Sequence, residues 1–187
     1  MAIKSVNVVI NGVTTALTYS SSTGKWTGTI TAPGSTSFTK SGGYYPVTVT
    51  ATNDAGTTAT KSDYQLVVKE PVKPTISISS PTSGAYVTNS KQPVVFTIVD
   101  ESGGSGVNIS SLGVKLDGTK VTSGIVSTAI TNGYSVTYTP ASAMSDGSHT
   151  VTIDCSDNDG NAANAVISRV FIVQTSLLFH MQEICLQ

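Results

Sequence analysis

Three features of this 187-residue chain predict an all-β fold built as two tandem β-sandwich domains. Val, Ile, Tyr and Thr alternate with polar residues at a period of two, the pattern of strands with one buried and one solvated face. Turn signals recur every ~8–12 residues, which suits antiparallel sandwiches. A strand-turn-strand phrase also occurs twice, as VTVTATNDAGTTA over residues 47–59 and VTIDCSDNDGNAA over residues 151–163. Repetition at this spacing implies two copies of one structural unit, each the size of a small β-domain.

The first unit covers residues 1–70. Val6, Val8 and Ile10 alternate up to Asn11-Gly12, and Val13, Thr15, Leu17 and Tyr19 alternate on the way back. Asn-Gly between alternating runs signals a hairpin, because both turn positions need positive φ. A second turn over residues 20–24 leads into residues 25–31, where Trp26, Gly28 and Ile30 share a face. Trp26, the single tryptophan, is expected as a core anchor between sheets, with a solvent-facing sugar platform as the alternative. A Pro-, Ser- and Gly-rich loop precedes Tyr44-Tyr45-Pro46, which opens the first copy of the repeated phrase.

Residues 71–74, within Lys69-Glu70-Pro71-Val72-Lys73-Pro74, form a linker stiffened by two prolines. A semi-rigid, end-to-end arrangement of the two domains is the expectation. The second unit covers residues 75–175, with strands expected at 75–79, near 84–88, at 94–99, 112–116 and 134–138, and from Val151. Asp117-Gly118 and Asn132-Gly133 mark tight turns. Residues 176–187, SLLFHMQEICLQ, lose the Gly, Thr and Val of the rest and are set apart as an atypical tail.

Charged residues are 11% of the chain and the formal net charge is −1. A nucleic-acid binder would show a basic face or stripe, so that class is excluded. Arg169 is the sole arginine, which rules out clustered arginine recognition of phosphate. Cys155 falls in phase with Val151 and Ile153 and aligns with Ala51 in the repeat, so it is expected as a buried free thiol. No Cys/His metal spacing exists, and His149 and His180 lie far apart. No stretch is long and apolar enough to cross a membrane, and no secretory signal is visible at the start of this chain. The expected location is extracellular or virion-associated.

The second unit resembles a bacterial immunoglobulin-like (Big-type) domain. The resemblance rests on Pro74-Thr75-Ile76-Ser77-Ile78-Ser79-Ser80-Pro81 with Gly84, on Leu116-Asp117-Gly118, on Asp146-Gly147-Ser148-His149-Thr150, and on Asp157-Asn158-Asp159-Gly160-Asn161. Their order is similar to the family's opening strand, "LDG" hairpin, "DGxHT" corner and final "DxxGN" hairpin. The first unit resembles a shorter relative, mainly over residues 45–68. The resemblance implies two tandem immunoglobulin-like sandwiches, as in phage or prophage tail-associated proteins and bacterial surface proteins. It implies a fold and names no ligand.

Several chemistries can be weighed on the residues themselves. Ser148 and His149 are neighbours on a strand and point to opposite faces, which argues against a nucleophile–base pair. Asp157 and Asp159, with Asp100 at the end of another strand, are calcium candidates, because calcium takes carboxylate and loop-carbonyl oxygens. Turn formation by Asp and Asn explains the same residues without a metal. An internal isopeptide crosslink would draw on Lys91, Lys115 and Asn161, provided that the lysine is buried. Tyr44 and Tyr45 are candidate glycan contacts; they point opposite ways, so one of them is free to face solvent. The expected function is therefore non-catalytic: a spacer or decoration that tethers a phage particle or surface protein to a cell envelope or glycan. Its partners would be other domains of a larger surface or virion protein and a cell-surface or mucus glycan. A carbohydrate-binding module of a larger enzyme and a calcium-stiffened adhesin repeat are the alternatives.

Overall fold

A computed structural model describes residues 2–163 and 167–176. Most of the tail, including His180 and Cys185, lies outside the described residues. The chain divides into two units, Met1–Pro71 with Gly103–Ser105, and Val72–Ser102 with Gly106–Gln187. Among the described residues the regular structure is all strand, apart from one 3-10 turn at Ser41–Gly43.

The first unit holds β1 (Ile3–Ile10), β2 (Val13–Ser20), β3 (Lys25–Thr27), β4 (Tyr45–Asn53) and β5 (Thr58–Leu66), in the antiparallel order β3-β2-β1-β4-β5. Asn11 and Gly12 adopt φ of 48° and 78°, the paired positive values of the two-residue hairpin between β1 and β2. Val6, Val8 and Ile10 are buried and face Ala51, Val49 and Val47 across the β1–β4 ladder. Leu17, Ile30, Leu66 and Val68 pack around the Val8, Ile10 and Tyr45 core.

This unit shows one sheet where a shorter sandwich is expected. A loop, not a second sheet, closes over its apolar face. Ser37 N donates to Val68 O at 2.8 Å, and Val68 N donates back to Ser37 Oγ at 3.1 Å. The Tyr45 hydroxyl reaches the same loop at Ser35 O, 3.1 Å away. Loop backbone that covers a core needs such partners, because buried N–H and C=O groups left unbonded are costly.

The second unit is a two-sheet sandwich. It comprises β6 (Thr75–Ser80), β7 (Tyr86–Val87), β8 (Val94–Val99), β9 (Val107–Leu116), β10 (Thr119–Lys120), β11 (Ile125–Ile130), β12 (Gly133–Tyr138), β13 (Gly147–Asp157) and β14 (Ile167–Val173). One sheet runs β10-β9-β13-β14-β7 and the other β11-β12-β8-β6. All neighbours are antiparallel except β14 and β7. This strand order and sheet partition is the immunoglobulin-type arrangement. Between the sheets, Phe96, Ile98 and Val136 from one meet Val114, Val151, Ile153 and Phe171 from the other, all at most 1% exposed.

The duplicated phrase folds the same way twice. It forms β4 with the turn to β5 in the first unit, and β13 with the turn towards β14 in the second. Asn53 N donates to Thr57 O, and Asn53 Oδ1 accepts from Thr57 N at 2.9 Å. Asp157 N donates to Asn161 O, and Asp157 Oδ1 accepts from Asn161 N at 2.8 Å. Gly56 and Gly160 hold positive φ at matching positions. The partner strands also correspond: β1 turns into β2 at Asn11-Gly12 beside β4, and β9 turns into β10 at Asp117-Gly118 beside β13. Four strands of the first unit, β2-β1-β4-β5, therefore correspond to β10-β9-β13-β14 of the second.

Candidate functional site

The strand ends of the second unit bring two buried carboxylates together. Asp100 closes β8 and is 4% exposed; Asp157 closes β13 and is 1% exposed. Their carboxylate oxygens approach within 4.8 Å. Asp100 Oδ2 accepts from Gly106 N at 2.8 Å, which ties the end of β8 to the start of β9. Asp157 Oδ1 and Oδ2 accept from Asn161 N and Nδ2 at 2.8 and 2.7 Å. Asp100 Oδ1 is buried with no hydrogen-bond partner. Asn158 Nδ2 donates to Gly106 O at 2.8 Å, which holds the final hairpin beside the β8–β9 loop. Asp159 is half-buried in that hairpin and does not belong to the converging carboxylates.

At another corner, the "LDG" and "DGxHT" motif residues bond to each other. His149 is buried, with Nδ1 2.7 Å from Asp117 Oδ2 and Nε2 2.9 Å from Ser145 O. Both partners are acceptors, so each ring nitrogen serves as a donor, and the imidazolium is the form that satisfies both bonds. Burial pulls the imidazole pKa down, but the bonds to Asp117 and Ser145 outweigh it and hold the value above the ordinary one. Asp117 Oδ1 also accepts from Thr150 N at 2.7 Å. Asp146 anchors the end of β14, accepting from Thr175 N at 2.9 Å and Thr175 Oγ1 at 2.7 Å. His149 thus shapes the corner, as its sequence setting suggests, and Asp117 is the partner that sequence spacing does not reveal.

The aromatic candidates separate cleanly. Tyr45 is 2% exposed and its hydroxyl is engaged with Ser35, so it offers no ring face to a glycan. Tyr44 is half-buried and lines a surface depression with Asn11, Lys40 and Thr48. Trp26 departs from the expected core anchor. It is only half-buried and stands beside Tyr19, which is 53% exposed, with ring centroids 5.5 Å apart and planes tilted by 49°. The cause is position along the sheet. Tyr19 pairs with Trp26 at the far end of the β2–β3 hairpin, beyond the stretch packed on the core, where Ala2, Ile3 and Gly24 complete a surface groove. Tyr19 was open to discovery from sequence, since a turn over residues 20–24 places it opposite Trp26.

The remaining reactive groups are accounted for. Cys155 is buried and free, and burial pushes its thiol pKa up, as expected of an inert core thiol. Lys91 and Lys115 are exposed, and Asn161 is bonded to Asp157, so the burial that an isopeptide crosslink needs is not met at these residues. Arg169 donates to Ile78 O at 2.8 Å, joining the two sheets of the sandwich. No helix among the described residues is long and apolar enough to cross a membrane.

Comparison with solved structures finds fibronectin- and immunoglobulin-type modules at low identity. The fibronectin(III)-like modules of Clostridium thermocellum CbhA are 19% identical over 92% of this chain and 78% of that one, with a TM-score of 0.40. Dimeric latent PorU from Porphyromonas gingivalis is 18% identical over 72% of this chain and 14% of that one, with a TM-score of 0.45. The titin domains z1z2 in complex with telethonin are 19% identical, covering 92% and 82%, with a TM-score of 0.37. No curated protein matches the chain. Residues 74–153 match the family model of the bacterial Ig domain, a stretch that runs from the start of β6 into β13 and contains Asp100, Asp117 and His149. Residues 74–153 are thus similar to the bacterial Ig domain, and the second unit that holds them has the two-sheet strand order of an immunoglobulin-type sandwich.

Proposed function

We propose that the chain is a non-catalytic adhesion and spacer module that tethers a phage particle or surface protein to a cell envelope or mucus glycan. The observation that carries the glycan contact is the ring pair of exposed Tyr19 and half-buried Trp26 on the β2–β3 hairpin. Aromatic rings with accessible faces and polar edges stack on the apolar faces of sugars, and their low side-chain entropy limits the cost of ordering them. Ser20, Thr18 and Lys25 on the same hairpin supply polar neighbours. One such contact is weak, and repeated copies on a particle would raise it by avidity.

A glycan array probed with the wild-type chain should show binding to a subset of glycans. Trp26→Ala and Tyr19→Ala should each weaken it roughly tenfold, equivalent to about 1.4 kcal/mol. Circular dichroism of the variants checks that the fold survives. An array with no wild-type binding, or binding indifferent to both substitutions, would remove the glycan contact from the proposal. Tail and capsid genes beside the gene for this chain would support the virion setting, whereas a sortase or secretion cassette would sink it.

A further inference from the structure

We propose that β11 (Ile125–Ile130) is a self-pairing edge, through which two copies of this chain join their β11-β12-β8-β6 sheets into one antiparallel sheet. An edge strand presents a row of unpaired N–H and C=O groups, and β-proteins blunt such edges with charge, bulges or shortness. Among the described residues the other edges carry these devices. β3 is three residues long and includes Lys25, while β7 and β10 are two residues each. β5 carries Lys61 and Asp63, with a register shift opposite Val47 and Val49. β6 has a register shift between Ile78 and Ser80, and Arg169 occupies Ile78 O. β11 ends its sheet with none of them. Its six residues, IVSTAI, hold no charge, proline or glycine, and they pair with β12 in unbroken register from Ile125↔Tyr138 to Ile130↔Gly133.

The order of residues makes a second copy the fitting partner. Gly124 O accepts from Thr139 N at 2.8 Å, so along the alternating ladder the backbone groups of Ile125, Ser127 and Ala129 point away from β12. Ile125 and Ser127 lie opposite the buried Tyr138 and Val136, on the core side of the sheet, which leaves Val126, Thr128 and Ile130 on the outer face. All three are exposed, Val126 by 65% and Ile130 by 42%. Two identical edge strands that extend one sheet are related by a two-fold axis normal to it, so residues of the same face meet. Centred on Thr128, the axis sets Thr128 against its own copy and Val126 against Ile130 of the second copy. These fall at non-hydrogen-bonded pairs, where side chains approach most closely, while Ser127 and Ala129 of the second copy exchange the free backbone hydrogen bonds. Val126 and Ile130 are thereby covered in both copies, and no like charges meet, because the strand has none. Pairing also doubles the Tyr19–Trp26 hairpins per assembly, but the inference does not rest on the glycan reading.

Sedimentation velocity of the full chain is the test. Small interfaces are weak, so the series should run from about 10 µM to about 1 mM, and the shift from monomer to dimer is expected within it. Thr128→Lys sets two ammonium groups face to face on the axis and should weaken association at least about tenfold. Thr128 is exposed, so the melting midpoint of this variant should match that of the wild type. Thr128→Cys should form an intermolecular disulfide on mild oxidation, which peptide mapping assigns to position 128 in both copies, because directly opposed non-hydrogen-bonded positions suit disulfide geometry. Val126→Cys, set opposite Ile130 and not opposite itself, should crosslink far less. The disulfide result stands even if Thr128→Lys fails to fold. A chain that is monomeric throughout the series overturns the proposal. So does a dimer that Thr128→Lys leaves intact, or one that crosslinks at position 126 in preference to 128. A monomer that instead binds an unrelated uncharged strand peptide would give the edge to another protein and would equally overturn it. None of these outcomes bears on the glycan contact, which rests on Tyr19 and Trp26 of the first unit.

Discussion

Phe96→Ala should destabilise the second unit by about 3–5 kcal/mol, the range for truncating a fully buried aromatic. Phe96 is 0% exposed at the centre of β8, in register with Ile78 on β6 and Val136 on β12. Its ring reaches the residues of the opposing sheet, so the cavity would be enclosed by two hydrogen-bonded layers that cannot collapse without breaking ladders. For a unit of this size the melting midpoint should fall by about 12–20 °C. Differential scanning calorimetry measures the shift, and hydrogen exchange over β8, β12 and β13 assigns it. A fall of less than about 5 °C would mean that the neighbours close over the hole. Val8→Ala in the first unit offers the contrast. Its core face is covered by a loop rather than a sheet, so the neighbourhood can relax and the cost should sit below that of Phe96→Ala.

That contrast also shows what sequence can reveal. Period-two alternation reports which residues share a face of a strand, and it locates β1, β2, β6, β8 and β12 because their apolar sets are unbroken. Asn11-Gly12 and Asp117-Gly118 are legible because both residues of each turn adopt positive φ, whereas the turn expected at Asn132-Gly133 falls one residue earlier, on Thr131-Asn132, with Gly133 already paired in β12. Alternation does not say what covers a face. Trp26 shares the parity of a core residue, yet it sits opposite Tyr19 at the turn end of the β2–β3 hairpin, half-buried and outside the first unit's core cluster. The same limit hides that the first unit has one sheet. Its strands carry the correct pattern whether a sheet or a loop packs on them.

The acidic site is half legible for a related reason. The repeat isolates Asp157 by showing Asn53 in its place, and the position of Asp100 at a strand end suggests the same edge of the sandwich. Asp159 looks equivalent to Asp157 in sequence, but the hairpin places it outside the converging pair. Its separation from Asp157 by one residue is decisive, because the turn between them is not extended and parity ceases to apply. The motif residues Asp117, Asp146 and Asp157 prove to be corner pieces: each carboxylate satisfies backbone N–H groups where a strand turns or ends.

The corner formed by His149 and Asp117 should make stability fall as pH rises. The folded-state pKa of His149 lies above its ordinary value, so the folded chain holds a proton that the unfolded chain releases sooner. The pair's contribution is fully present below the unfolded value of about 6.5 and is lost as pH rises through the folded value. Hydrogen bonds to charged groups contribute about 1.5–3 kcal/mol, and the Asp117 side chain is 46% exposed, so solvent screening places this pair near the lower end. His149→Gln should therefore cost most at acidic pH, and the gap between its melting midpoint and that of the wild type should narrow as pH rises above about 6.5. Nitrogen chemical shifts of the ring give a direct check, since both ring nitrogens should be protonated at pH 6. A gap that stays constant as pH rises above about 6.5 would mean that the ring is neutral in the fold. In that case one of the two short contacts, to Asp117 or to Ser145, must lack its hydrogen. The corner would then rest on the one remaining ring hydrogen bond and on packing against Phe171, whose ring centroid lies 6.1 Å away.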